Sequence, residues 1–398
     1  MRICIINPFY DDVPATVLEV TGRYRHVEAL SAALARRGHD VAVVQAFYEE
    51  RLERRNGVEF HYARVPQRSV TRLRGGLLGL DLMMRGNVRP LVEAAAEVRP
   101  DVVHMNGVTL LQPLAEIAEW CARTDRPLTA TFHGGKPLRT PWLLALQRRV
   151  LKRCRGVFFT TAAHAEAWTS SGLLRAEQVI PCMEVSSTFA PGDRAAARAR
   201  TGMTGHPVFA WNARLGKNKD PFTALKGFDL IRRRWPGARL YMIYWRADWE
   251  AAVRRTIAEL GLQDVVEMRG LIPPAAVEDF LNSADFLIQT SRYEVASFAV
   301  LEAMACGVIP VLTDIPPFHA MTDGGRIGVL FPVEDYQLMA QRTLEIDLAA
   351  IPALSRQVLQ FFEASLSYDA MAAIFKNNAD VKTELDKAQA TVEKELGK

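Results

Sequence analysis

What the sequence lacks narrows its class. Five cysteines (Cys4, Cys121, Cys154, Cys182, Cys306) are scattered over 398 residues, form no Cys-x-x-Cys pair and leave one over. That pattern speaks against a disulfide framework or a cysteine zinc site and fits reduced thiols in a cytoplasm. Long apolar runs are missing too: the longest uncharged stretch is about Val102 to Ala115, short of the ~18 residues a membrane span needs. Met1-Arg-Ile-Cys-Ile-Ile-Asn-Pro8 enters a strand directly, with too short an apolar run and no small-residue cleavage site, so no secretory leader is expected. A net charge of +4 gives no case for nucleic acid. The first strand–helix loop carries no Gly-x-Gly-x-x-Gly, which removes the main support for a dehydrogenase. No internal repeat of 20–50 residues is present.

What is present is an ordinary globular composition, 49% hydrophobic and 24% charged, on a chain long enough for two cores. Buried-type strands alternate with helical spacing: Arg2–Asn7, Asp40–Val44, Pro100–Met105, Leu128–His133 and Gly156–Thr161, with helices over Arg25–Arg37 and Leu110–Arg123. Such units build parallel sheets with helices on both faces. After Val179-Ile-Pro the chain turns loop-like through Pro191 and Gly192 and then polar to Arg200. That places a boundary between domains of residues 1–190 and 191–365, followed by a charged helical segment, 366–398, that packs back on the first domain or on a partner. Val381, Leu385, Val392 and Leu396 form its apolar stripe. Two doubly wound α/β sheets facing a cleft are the expected architecture.

The second half is organised around Ser291–Asp314. Asp285-Phe-Leu-Ile-Gln-Thr reads as a buried strand, a tight loop follows, Leu301, Met304 and Ala305 give a helix face, and Gly307 suits the helix end. Backbone N–H groups around Ala296–Phe298 would then face out at the carboxyl edge of the sheet, where α/β folds bind anions. Glu294 and Glu302 flank that helix start; they suit a ligand carrying phosphate and sugar hydroxyls, and equally suit a solvated helix with two surface glutamates. The loop Ala213-Arg-Leu-Gly-Lys-Asn-Lys-Asp-Pro221 follows another strand and sets Arg214, Lys217 and Lys219 on the same edge. Clustered cations there suit a diphosphate, Arg by its fork and Lys as a point charge.

In the first half, His133 closes a strand directly before Gly134-Gly135, which favours a ligand contact, whereas His104 inside a strand reads as structural. Gly22 precedes a helix and could admit a ligand near the backbone. Between Arg51 and Gly75 stand seven arginines against two glutamates, followed by Leu77-Leu-Gly-Leu-Asp-Leu-Met-Met84. The stretch reads as an arginine-rich loop beside a core helix, or as a peripheral contact with an anionic membrane through Arg51–Met84.

Together these residues resemble the retaining nucleotide-sugar glycosyltransferases of family 4, which have the GT-B fold. Glu294-(seven residues)-Glu302 running into Ala303–Asp314 resembles that family's paired glutamates. Arg214 and Lys219, five apart after a strand, resemble its diphosphate clamp. Ala284-Asp285, Gly38-His39-Asp40-Val and Asp101-Val-Val-His resemble its other strand signatures. The resemblance implies that Arg214 and Lys219 hold the donor diphosphate, Glu302 accepts from the ribose, Glu294 engages the transferred sugar, and His133 contacts sugar or phosphate. Gly22, Leu271, Ser297 and Phe298 fall at donor-pocket positions. Val295, Ala296, Ser297 and Thr21 depart from the family's usual loop residues. No metal or other cofactor is implied; the co-substrate is a nucleotide-diphosphate sugar, uridine by family frequency, and the acceptor a glycan, lipid-linked or small molecule in cell-surface glycan, glycolipid or exopolysaccharide synthesis. A nucleotide-sugar epimerase and a non-catalytic nucleotide-sugar-binding partner are the alternatives.

Overall fold

A computed structural model describes residues 1–9, 16–65, 88–245 and 248–376. The chain forms two compact units, one from Met1 to Glu184 joined by the segment from Tyr368 onward, the other from Val185 to Ser367. The division falls between Glu184 and Val185 rather than after Ala190. Among the described residues no helix is long and apolar enough to cross a membrane.

The first unit contains β1 (Arg2–Asn7), β2 (Asp40–Phe47), β3 (Arg51–Arg55), β4 (Val58–Arg64), β5 (Val102–Asn106), β6 (Leu128–Thr131), β7 (Gly156–Phe159) and β8 (Val179–Pro181). They form one sheet in the order β3-β4-β2-β1-β5-β6-β7-β8. All neighbours are parallel except the β3–β4 hairpin at the edge. Central strands are buried along nearly their whole length, as a sheet covered on both faces requires. One face packs Ile3, Ile5, Val41, Val43 and Phe60 against Val27 and Leu34 of the Arg25–Arg36 helix and against Tyr368, Met371 and Ala372. The Tyr368–Lys376 helix thus belongs to the first unit, and Arg36 reinforces it by pairing with Asp369 at 3.1 Å. The apolar stripe at Val381–Leu396 lies outside the described residues.

The first part of the arginine-rich stretch is not a loop. Arg51–Arg55 and Val58–Arg64 are strands, joined by Asn56-Gly57 with φ +52° and +75°. Three of their four arginines are matched by carboxylates: Arg55 meets Glu28 at 3.0 Å and Glu53 at 2.6 Å, Arg51 meets Glu53 at 2.7 Å, and Arg54 pairs with Glu59. The hairpin is therefore not an open basic loop. The rest of the stretch, residues 66–87, lies outside the described residues.

The second unit contains β9 (Val208–Asn212), β10 (Arg239–Ile243), β11 (Val266–Gly270), β12 (Phe286–Gln289), β13 (Ile309–Thr313) and β14 (Val329–Phe331). These run parallel in the order β11-β10-β9-β12-β13-β14. Succession moves outward in one direction from β9 and in the other from β12. The boundary between those two strands is the switch point, where loops diverge and leave a crevice at the carboxyl edge.

Candidate functional site

The loops that diverge at this switch point are the two singled out from the sequence. After β9 the chain runs through Arg214 to Asp220, whose carboxylate caps the Pro221–Arg234 helix by accepting from Thr223 N. After β12 it runs through Ser291 to Ser297 into the Phe298–Ala305 helix. The loops are stitched together. Arg292 N donates to Asn218 O at 2.8 Å, Asn218 Nδ2 donates to Tyr293 O at 2.8 Å, and Thr290 Oγ1 donates to Lys219 O and Asp220 O at 2.8 and 2.7 Å. Arg292 also reaches Asp220 at 3.1 Å.

Across this seam Lys219 Nζ pairs with Glu294 Oε1, the lysine side chain 20% and the glutamate 11% exposed. Arg214 is half-buried in the same loop. Glu302 is buried one turn into its helix, and Ser297 at the start is buried while Phe298 is partly open. The Ser297 side chain does not cap the helix and its first turn holds no acidic residue, so the positive end of the helix dipole there meets no carboxylate of its own turn. Cation, carboxylate and a helix start thus share one strand edge. Leu271, 77% exposed, follows β11 and borders an open hollow of about 360 Å³ with Tyr244, Trp245 and Arg254.

Asp285, part of the sequence signature, has a structural task. Its carboxylate is 3% exposed, accepts from Val208 N at 2.7 Å, and pairs with Arg194 at 3.0 Å and Arg198 at 2.8 Å. It ties the Arg194–Thr201 helix to the start of β9.

The first unit holds a separate polar cluster. His133 follows β6, and Gly134 and Gly135 both take φ +106°, a region that L side chains avoid. A Cβ on Gly135 would come within 2.8 Å of Thr109 Cγ2. The His133 side chain is 22% exposed, with Nδ1 2.6 Å from Glu184 Oε2 and Nε2 against Asn106 Oδ1. His104 is buried between Thr129 and Thr131, at 2.9 and 2.8 Å, as a structural histidine should be. Burial first, and the nearby His133 second, pull His26 and His104 down to about 3. Gly22 does not lie in a loop: it stands inside the Val17–Arg23 helix, solvent-exposed. Thr16 and Glu19 form a capping box that starts this helix well before the glycine.

Sequence reasoning missed Glu184, Asn106 and His26. A signal for one of them existed: Asn7, Asn106 and Asn212 are lone amides closing mostly apolar strands at their carboxyl ends.

Two α/β units, the second with its polar loops gathered at a switch point, have the GT-B architecture. Residues 20–182 match the family description "Glycosyltransferase Family 4" and residues 193–346 match "Glycosyl transferases group 1". Each half of the chain is thus similar to glycosyltransferases, the first half to those of family 4. Among curated relatives it is 26% identical over 262 residues to a GDP-mannose:cellobiosyl-diphosphopolyprenol alpha-mannosyltransferase of Xanthomonas oryzae pv. oryzae, covering 63% of this chain and 65% of that protein. It is 27% identical over 205 residues to a D-inositol 3-phosphate glycosyltransferase of Saccharomonospora viridis, 47% of each chain. The chain thus spans less than two thirds of the length of these relatives. In fold it is similar to sucrose-phosphate synthase from Thermosynechococcus elongatus, with a TM-score of 0.63, 19% identity and full coverage of both chains. It is also similar to Anabaena HepE in complex with UDP and glucose, with a TM-score of 0.55, 16% identity and 99% and 100% coverage.

Proposed function

We propose that the protein transfers a glycosyl group, with retention, from a nucleoside-diphosphate donor to an acceptor hydroxyl in glycan or glycolipid synthesis. The observation that carries this reading is the Lys219–Glu294 pair at the switch point of the second unit, in the same loops as Arg214 and the start of the Phe298–Ala305 helix. Breaking the anomeric C–O bond leaves negative charge on the diphosphate. Arg214, Lys219 and the helix N–H groups supply positive potential already in place, and the reading calls on no metal. Donor phosphate competes with Glu294 for the Lys219 ammonium. Once displaced, Glu294 is an acceptor for sugar hydroxyls, while Glu302 is assigned to the ribose. The acceptor hydroxyl enters on the face the leaving group departs from and passes its proton to the leaving phosphate.

The solved relative named above holds UDP and glucose, whereas the Xanthomonas relative is named for GDP-mannose; uridine is our reading for this chain. The same Xanthomonas name includes a diphosphopolyprenol, which supports a lipid-linked acceptor and peripheral membrane contact. Three of the four hairpin arginines are already paired, so the better surface for that contact is the Pro141–Leu151 helix. Trp142 and Leu146, 61% and 42% exposed, sit one turn apart there with Lys136, Arg139, Arg149 and Lys152 exposed around them.

Arg214→Ala and Lys219→Ala are each expected to lower transfer by about 10²–10³-fold with the fold retained by circular dichroism. Full transfer by either variant refutes the assignment. Donor consumption independent of acceptor would point to an epimerase instead.

A further inference from the structure

We infer that Arg292 is a positioning residue for the donor diphosphate: it cancels the buried Asp220 carboxylate within the anion loop, so that the charge of Lys219 and Arg214 is left for phosphate. Arg292 has this role only if the loop binds a diphosphate, which is the function proposed above.

The fold brings a carboxylate to the place where an anion site needs one least. The Pro221–Arg234 helix starts two residues after Lys219, and Asp220 is its cap: Oδ1 accepts from Thr223 N at 3.4 Å and Oδ2 from Thr223 Oγ1 at 3.0 Å. The Asp220 backbone takes φ +41° and ψ +62°, the left-handed region that Asp tolerates better than most side chains. The residue is 5% exposed, so solvent and salt screen its charge little. Left alone, that negative charge next to Lys219 would oppose any phosphate the lysine attracts.

Arg292 meets that charge from the other loop. Its Nη2 donates to Asp220 Oδ2 at 3.1 Å, and its backbone N–H donates to Asn218 O at 2.8 Å, so it grips the residues on both sides of Lys219. Thr290 Oγ1 holds the Lys219 carbonyl itself at 2.8 Å. Behind the loop, Thr313 Oγ1 at the end of β13 donates to Ser291 O at 2.6 Å. Arg292 Nη1 pairs with Glu334 in the turn after β14, which stretches the guanidinium between two acids. A planar fork serves two carboxylates at once, where an ammonium is a single point charge. The Glu334 side chain is 57% exposed and its pairing is screened. The Asp220 side chain is 7% exposed, and there the cancelled charge counts. Lys219 is thereby left facing Glu294, the partner that a phosphate displaces.

Charge cancellation and a merely structural staple predict opposite signs for one substitution. Asp220→Asn keeps a helix cap, since Asn caps about as well as Asp, yet removes the charge that Arg292 cancels. Titration calorimetry with UDP, GDP and inorganic diphosphate reads the outcome, on the full chain well below its thermal transition. Arg292→Met is expected to weaken binding about tenfold, the effect of one uncancelled charge across a partly screened distance. Asp220→Asn alone is expected to tighten binding about threefold, and the double variant to return to within about threefold of wild type. These differences should shrink in about 1 M salt. Unchanged or weaker binding in Asp220→Asn overturns the inference and leaves Arg292 a staple between loops. Unchanged binding in Arg292→Met, or a double variant no tighter than Arg292→Met, overturns it as well. If Arg292→Met does not fold, Asp220→Asn still decides by the sign of its change. A wild-type protein that binds none of the three probes fails the proposed function and the role of Arg292 with it. Wild-type binding that the variants leave unaltered fails the role of Arg292 alone.

Discussion

Replacing Asp285 by alanine tests whether a signature residue of the second unit serves the fold and not the donor. Its carboxylate is the meeting point of three donors: the buried N–H of Val208 and the guanidiniums of Arg194 and Arg198. Removing one partner of a buried ion pair costs about 3–5 kcal/mol, because the groups left behind keep their desolvation penalty. Here the arginine side chains are 31% and 24% exposed and can recover part of their hydration, so the low end, about 3 kcal/mol, applies. For a unit of roughly 150–250 residues, 1 kcal/mol moves Tm by about 2–4 °C, which puts the second unit's transition about 6–12 °C lower. Asp285→Asn keeps an acceptor for Val208 N and should lose about half as much. Scanning calorimetry reads the shift, and hydrogen exchange places it: β9 and β12 lose protection while β1 and β5 keep theirs. Nucleotide binding well below the transition should be unchanged. A Tm within about 2 °C of wild type, less than 1 kcal/mol would give, would refute this account of Asp285.

Two further outcomes follow from other parts of the molecule. His26 and His104 stay neutral in the fold down to about pH 3, whereas an unfolded histidine takes up its proton near pH 6.5. Between those values the unfolded chain binds more protons, so this contribution is intact above pH 6.5 and is lost as pH falls, by about 1.4 kcal/mol per pH unit for each histidine. His104→Asn should flatten the urea-derived stability slope between about pH 5.5 and 4.5 by that amount; an unchanged slope refutes the assignment. At the surface, the double variant Trp142→Ala, Leu146→Ala should release the protein from anionic vesicles, and salt should do the same to the wild type. Binding that ignores both changes would remove this helix from consideration.

Much of the second unit was legible because its signals are local. Strand, loop and helix follow one another in sequence, and Asp220 before Pro221 marks a helix start from four residues alone. The switch point explains why loops some seventy residues apart act together, and it follows from strand order, which local periodicity does not encode. The first unit was harder. Asn56-Gly57 is a strong hairpin signal, yet seven arginines made charge the louder feature, and one of the carboxylates that pair with Arg55 comes from Glu28 on a distant helix. Gly22 resembled a loop glycine because the capping box at Thr16–Glu19 went unread. Glu184 could not have been found beside His133: nothing in the intervening sequence states that they touch.

The chain leaves the first unit after Glu184 and re-enters it at Tyr368, whose helix completes the apolar cluster over β1, β2 and β4. During synthesis the second unit therefore emerges whole while the first still lacks its last piece. Domains tend to fold as they appear, so the half that starts first is the half that finishes last. Until the ribosome has delivered Tyr368, Met371 and Ala372, the Arg25–Arg36 helix and its sheet carry an uncovered seam.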